Sequence, residues 1–251
     1  MERLAELLFE LSNYDRLEIL FALQKENMKL TQISKSLALT PQETSRHLAR
    51  LSESRLIDKR ANGDYFPTEY CTQILNLLPS FKLLLAKREY FIHHSLQRLP
   101  RGFASRIGDL VEGRLIDNAI LLFQMVDTLI VESKEFVWIL ADQALSSTLP
   151  LLMDALERGI EFRSILPKSL GPPLLPPEVI PDFSRFRENS MLNRHLDTVN
   201  SIVIVSENKG VISFPTLDGK MDYTGFIVDD EIGIGWCRDL FLHDWERAVP
   251  I

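Results

Sequence analysis

The sequence predicts an α+β protein in two units. A small helical N-terminal unit closed by a β-hairpin (residues 1–78) is joined by a linker helix (79–113) to a larger C-terminal α/β unit (114–251). Three observations predict this. Between Thr31 and Pro67 two short helix patterns meet at a tight connection, Leu39-Thr40-Pro41, and a strand–turn–strand pattern with Asn62-Gly63 at its tip follows. Asn-Gly is a strong hairpin signal because both residues tolerate positive φ. After Pro79-Ser80, the residues Phe81, Leu84, Leu85, Phe91, Ile92 and Leu96 form the apolar stripe of one long helix. From Leu115 onward, helix and strand patterns alternate over short links, as in a parallel α/β sheet.

Taken in order, Leu4, Leu7, Leu8 and Leu11 share one face of a first helix over residues 2–11. Ser12 or Asn13 caps a second helix, whose Leu17, Ile19, Leu20, Phe21 and Leu23 are dense enough to be buried. Thr31 caps the helix that holds Ile33, Ser34 and Leu37. Thr40 caps the next through its hydroxyl, and Pro41 fits the first helical position, where its missing N–H costs nothing. Leu48 and Leu51, with Thr44 one turn earlier, give this helix a narrow apolar stripe. Asp58 to Thr68 is the hairpin, and a helix from Glu69 to Leu78 leads into the linker. The larger unit then reads as helix Leu115–Glu132, strand Phe136–Ala141, helix Ser147–Arg158 and strand Ile160–Leu166. Six prolines in residues 167–181 mark an irregular surface loop. A short helix around Asp182–Asn189 precedes strands at Met191–Leu196, Ser201–Val205, Val211–Phe214 and Tyr223–Val228, and an aromatic helix ends the pattern.

Composition sets limits on function. At 45% apolar and 25% charged residues, the 251-residue chain has the balance of a soluble globular protein. No apolar run reaches the roughly 18 residues a bilayer span needs, and MERLAELLFEL is amphipathic and acidic, unlike a secretory signal. A cytoplasmic protein with no membrane partner is expected. Cys71 and Cys237 form no CxxC pair and read as buried free thiols. The net charge of −7 is unevenly spread. Residues 28–60 hold seven Lys and Arg against three Asp and Glu, whereas residues 79–251 hold 18 against 24. A basic edge on an acidic body suits a nucleic-acid binder whose non-specific affinity is restrained.

The helix after Pro41 presents Gln42, Ser45, Arg46, His47 and Arg50 opposite its apolar stripe. Arg and Gln can bond to base edges and Ser to phosphate, so this face suits a DNA major groove. Thr44 belongs either to the groove face or to the stripe. Lys59, Arg60 and Asn62 sit on the hairpin, which either touches DNA or only closes the small core. Ser45-Arg46-His47-Leu48, then Leu51 and Leu56-Ile57, followed by a short hairpin, resemble the recognition helix and wing of archaeal winged-helix regulators related to the arsenic-repressor family. Arg55 stands where that pattern has Gly. The Cys motif of metal-sensing members is absent, so the resemblance implies no metal response. It implies a winged helix-turn-helix that binds double-stranded DNA as a homodimer, with the linker helix either pairing with its twin or packing on its own second unit.

A second resemblance covers the C-terminal unit. Val203–Val205, Val211-Ile212-Ser213-Phe214-Pro215, Asp218-Gly219, Asp222 and Trp236-Cys237-Arg238-Asp239-Leu240-Phe241 with Trp245 resemble the output domain of methanogen-type archaeal regulators, named for a filament-growth regulator. It implies a non-catalytic sensor domain with a fold related to the phospholipase D-like sheet of TrmB-type sugar regulators. Phospholipase D chemistry needs a His nucleophile with Lys two residues on. His195 is the candidate, and position 197 is Asp, so the phosphate-binding cation is missing. No G-x-S-x-G, P-loop, G-x-G-x-x-G or zinc spacing occurs, and no cofactor or metal is expected. Lys168, Arg185, Arg187, Arg194 and His195 either gather around a small anionic effector or pair with the acidic surface. Trp236, Phe241 and Trp245 recur at helical spacing and read as core rather than pocket. The expected function is an effector-responsive transcriptional regulator. The rivals are an enzyme acting on phosphodiesters and a winged-helix adaptor that binds protein.

Overall fold

A computed structural model describes residues 1–143, 146–170 and 193–250. The chain divides into two compact units, Met1–Leu78 and Pro79–Ile251. The first contains α1 (Glu2–Leu11), α2 (Tyr14–Lys25), α3 (Leu30–Ser36), α4 (Pro41–Glu53), β1 (Ile57–Lys59), β2 (Tyr65–Pro67) and α5 (Glu69–Leu75). Its core is Leu11, Ile19, Leu20, Leu23, Ile33, Leu48, Leu51, Leu56, Ile57, Cys71 and Leu75, so every helix and the hairpin give at least one side chain to it. Met28 bridges Tyr65 of β2 through paired backbone bonds of 3.2 and 2.8 Å, a third rung that ties the hairpin to the segment before α3. Burial pushes the Cys71 thiol up to about 11. Cys237 is likewise free and buried, and burial raises its pKa.

The second unit follows with α6 (Leu78–Ala86, whose first residue ends the first unit), α7 (Arg88–Phe91), α8 (Arg101–Ser105), β3 (Arg114–Ile116), α9 (Ala119–Glu132), β4 (Phe136–Leu140), α10 (Leu149–Glu157), β5 (Glu161–Pro167), β6 (Asn193–Leu196), β7 (Ile202–Ser206), β8 (Gly210–Ser213), β9 (Gly225–Val228), α11 (Glu231–Arg247) and β10 (Val249–Pro250). These strands form one eight-stranded sheet in the order β10-β6-β5-β4-β7-β8-β9-β3. One face packs on α11 through Trp138, Ile165, Val203, Ile212, Phe226, Trp236 and Phe241. The other packs on α9 and α10 through Val126, Leu129, Leu152, Phe162, Ile204 and Val211. Trp236 and Phe241 are fully buried, as their spacing predicts.

Three expectations are corrected. The sheet is mixed rather than parallel. Only β4, β5 and β6 run parallel, and β7, β8, β9 and β3 are antiparallel. The three-residue link Glu207-Asn208-Lys209 between β7 and β8 is too short for a crossover and allows only a hairpin. Leu115 lies in β3, paired with Phe226, and the following helix starts only at Ala119, where the Asn118 side chain accepts from the N–H groups of Ile120 and Leu121.

The long linker helix is the third. It breaks after Ala86 and again after Phe91. The Tyr90 hydroxyl accepts from Phe214 N at 3.1 Å and donates to Thr224 O, while His94 pairs with Thr216 as an isolated bridge. Leu83, Tyr90, Leu99, Ile107 and Leu110 join the core of the second unit, so side-chain burial against the sheet overrides helix propensity here. His94 is 7% exposed and stacks on Tyr90. The short helix expected around Asp182–Asn189 and most of the proline-rich stretch lie outside the described residues.

Gly225 of β9 shows how closely this sheet is packed. A Cβ there would come within 2.2 Å of the Ile212 carbonyl oxygen, a backbone atom that cannot move aside. Gly225→Ala is expected to destabilise the second unit by about 3 kcal/mol. Trp138, Trp236 and Trp245 all lie in that unit, so a lower urea midpoint by tryptophan fluorescence reports it without interference from the first.

Candidate nucleic-acid interface

Helix α4 is defined at both ends by its own residues. Thr40 and Glu43 form a capping box: the Thr40 hydroxyl accepts from Glu43 N at 3.2 Å, and the Glu43 carboxylate accepts from Thr40 N at 3.0 Å. The Thr40 hydroxyl also donates to that carboxylate, which lowers the Glu43 pKa. Pro41 follows at the first helical position. At the other end Arg55 takes a left-handed conformation, φ +56. Its N–H reaches Ser52 O and that of Leu56 reaches Leu51 O, both at 2.9 Å, the bond pair of a Schellman stop. This is the position where the family pattern has Gly, and Arg55 holds the Gly-type conformation there despite its side chain. Between α3 and α4, Ala38 also turns left-handed, φ +53, and the Ser34 hydroxyl clasps Leu39 O at 2.7 Å.

Burial of Thr44, His47, Leu48 and Leu51 sets which face of α4 is outward. Gln42, Ser45, Arg46 and Ala49 are exposed. Thr44 and His47 are not, which corrects their assignment to the groove face. Thr44 is fully buried, and its hydroxyl bonds Thr40 O at 3.0 Å. His47 is 5% exposed, with Nε2 at 3.6 Å from an Asp15 carboxylate oxygen. The reason is angular. Thr44, His47 or Leu48, and Leu51 follow one another at three- and four-residue steps, so the stripe is wider than Leu48 and Leu51 alone suggest.

Arg50 is also tied down rather than free. Its guanidinium holds the Glu10 carboxylate through Nη2 at 2.5 Å and Nε at 3.2 Å. Arg16, itself 5% exposed, contacts the same carboxylate at 3.1 Å and donates to Glu10 O and Phe9 O. Both guanidinium groups lie over the Phe9 ring, at 5.7 Å for Arg16 and 5.3 Å for Arg50. The Arg50 bond lowers the Glu10 pKa against the opposing effect of burial. Sequence reasoning missed Glu10 because its partner is 40 residues away, beyond any local spacing rule.

The hairpin tip differs in detail from the expected two-residue turn. Gly63 has φ +92, but Asn62 does not take positive φ. Arg60 N bonds Asp64 O and Gly63 N bonds Arg60 O, so a turn over Arg60–Gly63 ends in a left-handed glycine. Asn62 is exposed, yet its amide bonds Asp64 N and the Asp64 carboxylate, which holds the turn. Lys59 and Arg60 are exposed and lie over the Tyr65 and Phe66 rings at 5.0 and 5.1 Å. Arg55, Lys29 and Lys35 are further exposed cations of this unit.

Residues 13–59 match the family model described as "Bacterial regulatory protein, arsR family". The first unit therefore carries an arsR-type helix-turn-helix, over α2 to β1. No curated protein matches the chain. Among solved structures, the chain is similar to TrmBL2, described as an archaeal chromatin protein with a novel mode of DNA binding, at 12% identity and a TM-score of 0.46, covering 95% of this chain and 94% of that one. It is also similar to NolR from Sinorhizobium fredii, at 27% identity and a TM-score of 0.30, covering 32% of this chain and 84% of that one.

Of the residues expected around an anionic effector, Lys168, Arg194 and His195 are among the described ones. Lys168 pairs with Asp197 at 2.7 Å. Arg194 and His195 are adjacent on β6 and so point to opposite faces of the sheet. Arg194 lies over Trp245 at 4.3 Å and donates to Trp245 O at 2.6 Å, capping the last turn of α11, while its Nε is buried with no partner. Arg185 and Arg187 lie outside the described residues.

The Glu10 cluster has a signed pH consequence. A folded-state pKa below the ordinary glutamate value adds stability above the unfolded pKa, and that stability is lost as pH falls through the folded value. Glu10→Gln leaves the buried Arg16 charge unpaired and is expected to cost the first unit about 3 kcal/mol near neutral pH. The loss should shrink as the solution is acidified below about pH 4. Far-UV circular dichroism melts over a pH series, with an unchanged tryptophan transition as internal reference, check this.

Proposed function

We propose that this protein is a DNA-binding transcriptional regulator that reads duplex DNA with the outward face of α4 and its wing. The observation that carries the reading is a helix capped at both ends, buried on Thr44, His47, Leu48 and Leu51, that leaves Gln42, Ser45 and Arg46 exposed within an arsR-type match. Gln42 and Arg46 have the donors for base edges, Ser45 suits a phosphate, and Lys59 and Arg60 suit the backbone beside the groove. Arg50 acts from behind, holding α4 through Glu10. Arg46→Ala is expected to weaken binding to a mixed-sequence duplex and, if Arg46 meets a phosphate, to reduce the salt slope by about 0.9. Arg46→Ala and Lys59→Gln proteins that bind with unchanged affinity and slope would refute the reading.

The reading extends to a homodimer and to an effector taken by residues 115–251. Leu4 and Leu8 of α1 are 49% and 54% exposed although they continue the apolar stripe of Leu7 and Leu11, and a second copy would cover them. Two reading helices on a twofold axis then meet successive half-sites. Leu8→Glu should shift the protein toward monomer by light scattering and lower its affinity for DNA. For the effector, the buried, unpartnered Nε of Arg194 is the support among the described residues. No helix of the described residues is long and apolar enough to cross a membrane, and the second unit is read as non-catalytic.

A further inference from the structure

The acidity of the second unit is confined to its later part. Residues 79–114 hold seven Lys and Arg against three Asp and Glu, whereas residues 115–251 hold 11 against 21. The two groups of cations also differ in how they are used. Among the described cations from residue 115 on, Arg158, Arg163, Lys168, Lys209, Lys220 and Arg247 each have a carboxylate partner, while Lys134, Arg194 and Arg238 have none. In residues 79–114 only Lys82 and Arg106 have one, with Glu112 and with Asp109 and Asp239. Lys87, Arg88, Arg98, Arg101 and Arg114 have no ion-pair partner among the described residues, and all but half-buried Lys87 are exposed. A solvated surface in a protein of net charge −7 has carboxylates to spare for them. Glu89 is the one acidic residue between Lys87 and Arg101, against four cations, so this stretch carries a net positive charge.

Four of these cations fall between Lys87 and Arg101, a segment held in place by the sheet. Tyr90 and His94 are buried, Ser95 N bonds Pro215 O at 2.8 Å, and Leu217 N bonds His93 O at 3.0 Å. The Arg98 guanidinium lies against Gly219, where a Cβ would come within 3.0 Å of it. Lys87 is nine residues beyond Leu78, the end of the first unit.

We propose that the exposed cations Arg88, Arg98 and Arg101, with Lys87, make a second DNA contact, one that binds backbone phosphates flanking the sequence read by α4. This rests on the regulator reading above. The partner is duplex DNA, and the contact is sequence-independent because the segment offers cations and no element shaped to enter a groove. It would raise affinity for longer fragments and leave the choice of sequence to α4.

The test uses the full chain and a mixed-sequence duplex of about three helical turns, with binding measured across a salt series. Three proteins are compared with the parent: R88Q/R98Q/R101Q, the control K134Q/R238Q, and Arg46→Ala. Lys134 and Arg238 are exposed cations of the same unit outside the segment. The triple variant should lower the salt slope by about 0.9 for each phosphate no longer neutralised, with at least a tenfold drop in affinity at low salt, and the control should match the parent. An unchanged slope in the triple variant, or an equal drop in the control, would overturn the proposal while a weakened Arg46→Ala protein left the reading by α4 intact. A parent protein that binds no duplex would remove both. An unchanged tryptophan melt in the triple variant separates a weaker grip on DNA from a damaged fold.

Discussion

The Glu10 carboxylate lies between the guanidinium groups of Arg16 and Arg50, and the placement of α4 depends on this contact. The hydrophobic stripe of α4 fixes its rotation, because turning Thr44, Leu48 and Leu51 outward would expose three fully buried side chains. The bidentate carboxylate–guanidinium pair adds a polar tie between α4 and α1 beside that packed stripe. The pair also engages helices from three places in the chain: Glu10 from α1, Arg16 from α2 and Arg50 from α4. The outward positions of Gln42, Ser45 and Arg46 follow from that geometry.

Much of the first unit was legible because its signals are local. Thr40, Pro41 and Glu43 specify a helix start within four residues, and Asn62-Gly63 marks a turn within two. What was not legible is non-local or marginal in angle. His47 reads as polar and outward until Asp15 is found beside it, and Arg50 reads as a free cation until Glu10 is. In the second unit, the alternation of helix and strand gave β4 to β9 but neither β3 and β10 nor the strand directions. Periodicity carries no information on whether a neighbour is parallel, and only link length does. The long helix drawn through Tyr90 failed because a hydrogen bond 124 residues away in sequence, to Phe214, outweighs the helical pattern.

The charge of the chain makes sense only when pairing is counted with composition. A net −7 suggests repulsion from DNA, yet the carboxylates cluster in residues 115–251, where they neutralise their own cations. Screening at physiological salt limits the reach of that acidity to about 8 Å. The unpaired cations of residues 29–60 and 87–101 are therefore governed by their own surroundings rather than by the total. An acidic body of this kind shortens the time spent on random DNA without weakening contacts made at close range.

Helix α1 carries two features described separately above: Leu4 and Leu8 face solvent, and Glu10 grips Arg50. Ten residues of α-helix form a rod of about 15 Å that transmits displacement with little bending. Its far end is tied to the last turn of α4 by the Glu10–Arg50 contact. In the proposed dimer, the helix that would meet a second copy is thus the same one that holds Arg50 of α4.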